Sequence, residues 1–298
     1  MNLVRRKIKW DLSLRAYNMR KRRLMQNRIF VCGDTHIPND IQKLNSRNFP
    51  EQKELTKKDV LIQLGDFGGI WYAIGENKEQ EYWLEWLALK NFTTAVVLGN
   101  HENYDIIETL PWTTMWDNDV QYYETPKSGN RIYFLKRGAF YNINGKKILA
   151  IGGAHSIDKL YRTEHISWWS QEDITHREIE ACFDELDEKG YEADYILSHT
   201  CPSRLVVQFL IESNAYYQGK ITDTTAEFLD EIDNRVEFKG WFFGHMHIDF
   251  THTETSDDGH KDHYTCCYNG APKELTNWSP EDPNPTRIRS VNDISVRN

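Results

Sequence analysis

Short apolar runs that end in glycine or serine, and are followed at once by polar residues, recur five times along the chain. Such runs, rich in β-branched and apolar residues, predict buried β-strands. The runs, with the polar residues that follow them, are 29–33 before Asp34 and His36, 60–65 before Asp66, 96–99 before Asn100 and His101, 195–198 before His199, and 241–244 before His245 and His247.

Other stretches have the pattern of helices and of further strands. Apolar residues at helical spacing, among them Trp83, Trp86 and Leu87, predict a helix over 78–90 that packs on a sheet. A second helix runs to about 189, capped by Ser170 or by Thr175. Further predicted helices are 203–212 and 224–234, further predicted strands are 131–135, 140–143, 147–151 and 262–268, with Asn144-Gly145 as a hairpin turn, and 38–58 is a loop with a short helix.

The polar residues at the five strand ends are of metal-binding types. In open α/β sheets, ligands bind outside the carboxyl ends of strands, so these side chains predict one shared site. Mixed oxygen and nitrogen donors suit Mn, Fe, Zn, Co or Ni better than Ca or Mg alone, and the lack of a cysteine argues against a structural zinc. Seven candidates are too many for one ion and suit two that share a bridging group: Asp34, His36, Asp66, Asn100, His199, His245 and His247.

The charge balance of such a site indicates its chemistry. Two carboxylates contribute two negative charges against four positive charges from two divalent ions, and the surplus suits a hydroxide and a phosphate. Paired metals about 3.5 to 4 Å apart generate a nucleophile and clamp the oxygens of an in-line displacement. The pattern therefore indicates metal-dependent hydrolysis.

Composition favours a globular cytoplasmic protein. The 298 residues are 39% hydrophobic and 13% aromatic, which is ample for a core. No apolar run is long enough to span a membrane, and the N-terminus lacks the apolar segment of a secretory signal. Five irregularly placed cysteines argue against a disulfide framework and for a reducing compartment.

Charge is distributed unevenly along the chain. Residues 1–28 carry ten basic residues against Asp11, which is +9 and leaves −18 for the remainder of a chain of net charge −9. This basic leader is either an arm lying over the acidic body or a contact for nucleic acid or another anionic surface. We predict a leader at 1–27, a catalytic domain at 28–271 and a polar tail at 272–298.

The five motifs resemble those of the calcineurin-like metallophosphoesterase superfamily, in the same order and over about residues 28–270. The resemblance implies an α/β fold of four layers, with two packed mixed β-sheets flanked by helices. It also implies that His101 is a catalytic histidine that stabilises the transition state or protonates the leaving oxygen. One metal would be held by Asp34, His36, Asp66 and His247, the other by Asp66, Asn100, His199 and His245, with Asp66 as the bridge.

One departure from the protein Ser/Thr phosphatase branch concerns the phosphate-binding arginine. That branch continues its second motif with Asp-Arg-Gly, whereas this chain reads Gly65-Asp66-Phe67-Gly68-Gly69. A substitute is expected in 152–173, where Arg162 with Ser156 and Asp158 fits a substrate loop and Trp168-Trp169 can stack on a flat group. The alternative is that the tryptophans pack the next helix and that Arg162 pairs with Asp158 or Glu172.

These features predict a dinuclear metal-dependent phosphoesterase that uses metal-activated hydroxide, with Mn as the favoured ion. A phosphomonoesterase is favoured over a nucleotide or nucleic-acid phosphodiesterase, an alternative supported by the tryptophans and the basic leader. A third hypothesis is a catalytically silent binding scaffold with the same fold, although such a protein should lack a ligand or His101. The ligand set does not encode the substrate or the oligomeric state.

Overall fold

The structure is a computed structural model that describes residues 26–212, 223–255 and 261–279. The predicted leader as far as residue 25 and the tail from residue 280 lie outside the described residues. Within them, no helix has both the length and the apolar character needed to cross a membrane. All five cysteines are buried free thiols, and the cytoplasmic location stays a prediction.

In the described part of the chain, the first sheet has seven strands, of which the central four are parallel. The strand order is β13-β1-β2-β3-β6-β5-β4, with β5, β4 and β13 antiparallel to their neighbours. The strands are β1 (Ile29–Cys32), β2 (Val60–Leu64), β3 (Thr93–Val97), β4 (Trp112–Met115), β5 (Asn118–Glu124), β6 (Arg131–Leu135) and β13 (Lys273–Glu274).

Among the residues that the structure describes, the second sheet has six strands in the order β11-β12-β10-β9-β8-β7, and β8, β9, β10 and β12 are parallel. The strands are β7 (Ala139–Ile143), β8 (Lys146–Ile151), β9 (Glu192–Ser198), β10 (Glu237–Phe243), β11 (Phe250–Thr255) and β12 (Lys261–Cys266). The helices of the fold are α1 (Lys78–Ala88), α2 (Tyr104–Ile107), α3 (His176–Lys189), α4 (Ser203–Glu212) and α5 (Thr224–Arg235), with short 3-10 helices at Ile41–Leu44, Pro50–Glu54, Lys159–Tyr161 and Ser170–Glu172.

Three hydrophobic clusters show how the layers stack. The cluster between the sheets contains Ile62 and Val97 from one sheet and Leu197 and Phe242 from the other. A second cluster packs α1 against the outer face of the first sheet, and a third packs α3, α4 and α5 against the outer face of the second. The predicted fold of two packed mixed sheets flanked by helices is confirmed.

The predicted core strands all form. They could be predicted because a strand buried on both faces is a continuous apolar run in the sequence. The hairpin turn also forms at Asn144-Gly145, whose φ angles of 49° and 78° suit a two-residue turn. The strands β4, β5, β11 and β13 were not predicted. In β4 every second residue is exposed, so its apolar pattern is weak.

Residues 273–279, which the sequence assigns to the polar tail, belong to the folded body. Val31 pairs with Lys273 across the antiparallel β1–β13 ladder, and Leu275 is fully buried between the sheets. The Tyr195 hydroxyl donates to the Leu275 carbonyl at 2.7 Å. The predicted boundary at 271 is therefore too early. The stretch is mostly polar, so its composition does not indicate the buried leucine or the edge strand.

Thr175, rather than Ser170, caps the helix α3. The Thr175 hydroxyl accepts from the Glu178 amide at 3.3 Å, and the Glu178 carboxylate accepts from the Thr175 amide at 2.9 Å. This reciprocal pair is a capping box, which satisfies amides that the first helical turn leaves unpaired. Ser170 instead begins the separate 3-10 helix Ser170–Glu172.

We predict that Thr175→Ala lowers the free energy of unfolding by about 1 kcal/mol, because it removes the side-chain oxygen of the cap. The measurement is equilibrium denaturation in urea. The matched control Ser170→Ala should change stability by less than about 0.5 kcal/mol. An equal loss in both variants would show that the helix does not depend on the Thr175 cap.

Candidate metal centre

The five predicted strand ends meet at one place. Asp34 and His36 follow β1, Asp66 follows β2, Asn100 follows β3, and the two remaining motifs follow β9 and β10 of the second sheet. Because these strands run parallel within each sheet, their carboxyl ends lie on a common edge where the two sheets face each other. The site is therefore built from both halves of the fold.

The backbone at this edge is held in an uncommon conformation. Five of the candidate ligands have positive φ, which costs a non-glycine residue energy and is typical of functional sites. Those φ values are 42° at Asp34, 34° at His36, 48° at Asp66, 64° at His245 and 52° at His247.

Two glycines permit the close approach of these loops. A Cβ atom on Gly99 would lie 2.1 Å from the Asp66 amide nitrogen, and one on Gly65 would lie 2.1 Å from the His199 ring. Gly65 also has φ of +83°. Any side chain at these positions would push the ligands apart, which explains the glycine before Asp66 and before Asn100.

The first donor group consists of His36, Asp66 and His247, whose ligand atoms lie within 4.8 Å of one another. His36 Nε2 is 3.3 Å from Asp66 Oδ2, while His36 Nδ1 donates to Asp40 at 2.9 Å. The His247 ring stacks on Tyr268 with centroids 4.6 Å apart. Both imidazoles are thus oriented by neighbours that are not themselves in the group.

The second group consists of Asp66, His199 and His245. His199 Nδ1 donates to the Leu64 carbonyl at 2.8 Å, which leaves Nε2 directed at two oxygens. These are Asp66 Oδ1 at 3.1 Å and Asn100 Oδ1 at 3.0 Å. Asp66 is common to both groups, as expected of a bridging carboxylate.

Asp34 lies beside the two groups. Its carboxylate is fully buried, accepts from the His245 amide at 3.0 and 3.1 Å, and is 3.8 Å from His199 Nδ1. The structure therefore brings all seven predicted ligands into one cluster, although their role in holding metal stays a prediction.

The electrostatics of the cluster show a need for positive charge. Burial by itself lowers the pKa of a histidine, yet the pKa values of His36 and His199 are raised to about 9, chiefly by Asp66. Burial raises the pKa of Asp34 to about 7, and burial with the nearby His199 lowers that of His245 to about 3. Protons are thus held where donor lone pairs converge, and a divalent cation fits the same place.

The predicted catalytic residue His101 lies at the rim of the cluster. Its ring centroid is 5.6 Å from that of His36, and its pKa is lowered by burial and by the adjacent Arg162. The Arg162 Nη atoms lie 3.3 Å from His101 Nε2 and 3.5 Å from Nδ1. A guanidinium therefore lies over a neutral imidazole beside the donor groups.

The segment 152–173 differs in part from expectation. Arg162 pairs with Asp158 at 2.8 Å, as the alternative interpretation has it, yet it also reaches His101. Trp168 is partly exposed. Trp169 is only 1% exposed and packs on Trp71, so a stacking role on substrate is wrong for this residue.

Ser156 is also a correction. It is 3% exposed, and its hydroxyl is bonded to both Asn100 and Glu172. A hydroxyl already bonded on both sides and shielded from solvent is not available for direct contact with substrate. Sequence reasoning identified the residue but not its surroundings.

Two buried ionisable residues beside the cluster were not singled out from sequence. Glu102 is fully buried and accepts from the amides of Phe67 at 2.7 Å and Gly68 at 3.2 Å. Lys43 is buried and donates to the carbonyls of Gly33 at 2.8 Å and Asp34 at 2.9 Å. The signal for Glu102 was its place after His101, whereas Lys43 lies in a polar stretch without any motif.

The fold and the donor cluster together define a metal-dependent hydrolase. Its family follows from sequence comparison: the model of the calcineurin-like phosphoesterase family matches residues 27–249, and the chain belongs to that family. It is thus a metal-dependent phosphoesterase, in which divalent ions and a phosphoester substrate are expected.

Other comparisons add little. Comparison with curated proteins finds no match. A search of solved structures finds the crystal structure of a phosphopantetheinyl hydrolase from Mycobacterium tuberculosis, at 14% identity and a TM-score of 0.36, with 87% of this chain and 99% of that chain covered. At this TM-score the likeness supports no conclusion about function.

We predict that the affinity of the metal-free protein for Mn²⁺ rises with pH up to about 9. Below that pH, His36 and His199 hold protons that a metal must displace, because Asp66 raises their pKa values to about 9. Each displaced proton contributes up to roughly a tenfold rise in affinity per pH unit. Calorimetric titration at neutral pH, in two buffers of different ionisation enthalpy, should detect proton release.

The control is His165→Ala, which removes an exposed histidine outside the cluster and should leave the pH slope unchanged. Affinity that stays flat over this range, with no proton released at neutral pH, would contradict the interpretation of the cluster as a metal centre.

Proposed function

We propose that the protein is a phosphomonoesterase with two metal ions. The observation that carries this proposal is the meeting of two donor groups at Asp66, beside an imidazole and a guanidinium. The ligand sets are those implied by the motifs: one of Asp34, His36, Asp66 and His247, the other of Asp66, Asn100, His199 and His245. When bound, such ions activate water and neutralise phosphoryl oxygens, and the mixed donor set suits Mn, with Fe, Zn, Co or Ni as alternatives.

His101 is proposed to act on the oxygen where negative charge develops. Its lowered pKa favours the neutral imidazole, which can still donate one N–H to that oxygen. Its backbone amide donates to Asp66 Oδ1 at 2.9 Å, which holds the residue close to the donor groups. The His101 side chain is not a member of either donor group.

Arg162 is proposed to bind the phosphoryl oxygens. Its partners Asp158 and the Ser167 carbonyl hold the guanidinium over His101, at the edge of the cluster. A phosphomonoester carries more negative charge than a diester, so an added cation beside the metals favours the monoester. This charge argument supports the choice of a phosphomonoesterase.

A nucleotide or nucleic-acid phosphodiesterase is the second candidate. Tyr161 is 93% exposed next to Arg162, and Trp168 is partly exposed, so flat surfaces suited to a base lie near the site. The catalytically silent scaffold is less well supported, because every ligand position and His101 is filled.

The two activities are separated by assaying the protein with Mn²⁺ on p-nitrophenyl phosphate and on its bis ester. We predict a higher kcat/KM for the monoester. Faster turnover of the bis ester would overturn the monoester assignment and favour the diesterase. Absence of turnover on both, in protein shown to bind Mn²⁺, would favour the scaffold.

We predict different kinetic effects for the two rim residues. His101→Ala should lower kcat by roughly 10²- to 10⁴-fold, because the group that donates to the oxygen where negative charge develops is lost. Arg162→Gln should mainly raise KM, by roughly 10- to 100-fold, because charge-assisted hydrogen bonds to the phosphate are removed. Steady-state kinetics with p-nitrophenyl phosphate measures both.

The matched controls are His165→Ala and Arg177→Gln, which alter an exposed histidine and an exposed arginine away from the donor groups. Metal content, measured by elemental analysis, should stay at the wild-type level in all four variants. Undiminished turnover in His101→Ala would show that this histidine is not catalytic, and an unchanged KM in Arg162→Gln would remove Arg162 from the substrate site.

A further inference from the structure

The Asn100 amide is held on both sides. Its Oδ1 faces His199 Nε2 at 3.0 Å, on the side of the second donor group. Its Nδ2 donates to the Ser156 hydroxyl at 3.0 Å, on the side away from it. Ser156 in turn donates a short hydrogen bond to Glu172 Oε2.

Glu172, the last residue in this chain of hydrogen bonds, is held in place by further contacts. It is 1% exposed, and its second oxygen, Oε1, accepts from the Trp169 amide at 3.1 Å. Its main-chain carbonyl accepts from the Ala154 amide at 3.0 Å, two residues before Ser156. The carboxylate and the serine are thus fixed relative to each other by the backbone as well as by their side chains.

The chain of hydrogen bonds has a direction. Burial raises the pKa of the Glu172 carboxyl to about 7, so the carboxyl is ionised above that pH. An ionised carboxylate only accepts, so the single Ser156 proton then points to Glu172, and the Ser156 oxygen is left to accept from Asn100. If the amide were flipped, Asn100 Oδ1 would face the Ser156 oxygen with no proton between them. Only one amide orientation is satisfied, and in it the carbonyl oxygen points to the donor group.

We propose that Ser156 and Glu172 are positioning residues that present the Asn100 carbonyl oxygen to the metal of the second donor group. The inference rests on the proposed function, since it takes Asn100 as a ligand. Outer hydrogen-bond partners of this kind fix the orientation of a ligand, and their loss weakens metal affinity by about 10- to 100-fold. Neither residue needs to touch the substrate.

Glu172→Gln tests the direction of the chain with an isosteric change. The Trp169 amide requires an acceptor, so the glutamine oxygen takes that side and its amino group faces Ser156. Ser156 then accepts from Gln and donates towards Asn100, which favours the flipped amide and presents NH₂ to the metal. At a pH above the Glu172 pKa of about 7, we expect the metal-free variant to bind one Mn²⁺ as in wild type and the other about 10- to 100-fold more weakly by calorimetry.

A second substitution distinguishes positioning from a structural role. The carboxylate of Asn100→Asp accepts on both sides. It can accept the Ser156 proton in the reversed chain of Glu172→Gln, whereas with the native Glu172 two carboxylates compete for that one proton. The double variant Asn100→Asp with Glu172→Gln should therefore bind the second Mn²⁺ more tightly than Asn100→Asp alone. A merely structural role of Glu172 predicts no such rescue.

The control is Glu164→Gln, an exposed glutamate in the same segment, which should bind both ions as wild type does. Thermal melting of the metal-free proteins checks the fold. If Glu172→Gln does not fold, Ser156→Ala decides: weaker binding of one Mn²⁺ supports the proposal, and unchanged binding overturns it. If wild type binds two Mn²⁺ and Glu172→Gln binds them equally well, this inference alone is overturned. If wild type binds none, the proposed metal centre is overturned as well.

Discussion

The structure depends on one buried carboxylate. Asp66 is 1% exposed, contacts His36 and His199, and accepts from the amides of Asn100 and His101. These partners follow β1 and β3 of the first sheet and β9 of the second. A buried negative charge is stable only when it is paired and hydrogen-bonded, so the loops that supply the partners must converge on it. The nearby positive charges keep the Asp66 pKa well below its usual range despite burial.

Convergence on this carboxylate carries a cost in backbone energy. Residues with positive φ cluster at the ligand positions, and strained positions of this kind persist when the surroundings over-determine them. Glu102 and Lys43 supply that support, since Glu102 accepts from backbone amides and Lys43 donates to backbone carbonyls. Two buried ionisable side chains outside the candidate ligand set thus hold these loops.

The segment 154–173 connects this support to the substrate side. It is tied to the connection between β6 and β7 by Arg137, which donates to the Gln171 carbonyl at 2.8 Å and pairs with Glu178 of α3 at 2.8 Å. From this base the segment directs Ser156 inward to Asn100 and Arg162 over His101. One stretch of chain therefore contributes both to the proposed orientation of a metal ligand and to the proposed recognition of phosphate.

The sequence alone determined the core strands, the main helices and the seven candidate ligands that cluster. Buried strands are continuous apolar runs, and metal ligands are a restricted set of residue types at strand ends, so both are local signals. Only the tertiary structure decided which residues of 152–173 face the site. Serine, arginine and tryptophan suit a substrate loop or a packed interior equally well, and the choice between these depends on contacts with residues distant in the chain. Ser156 and Trp169 are buried by such contacts, while Arg162 is held at the rim over His101.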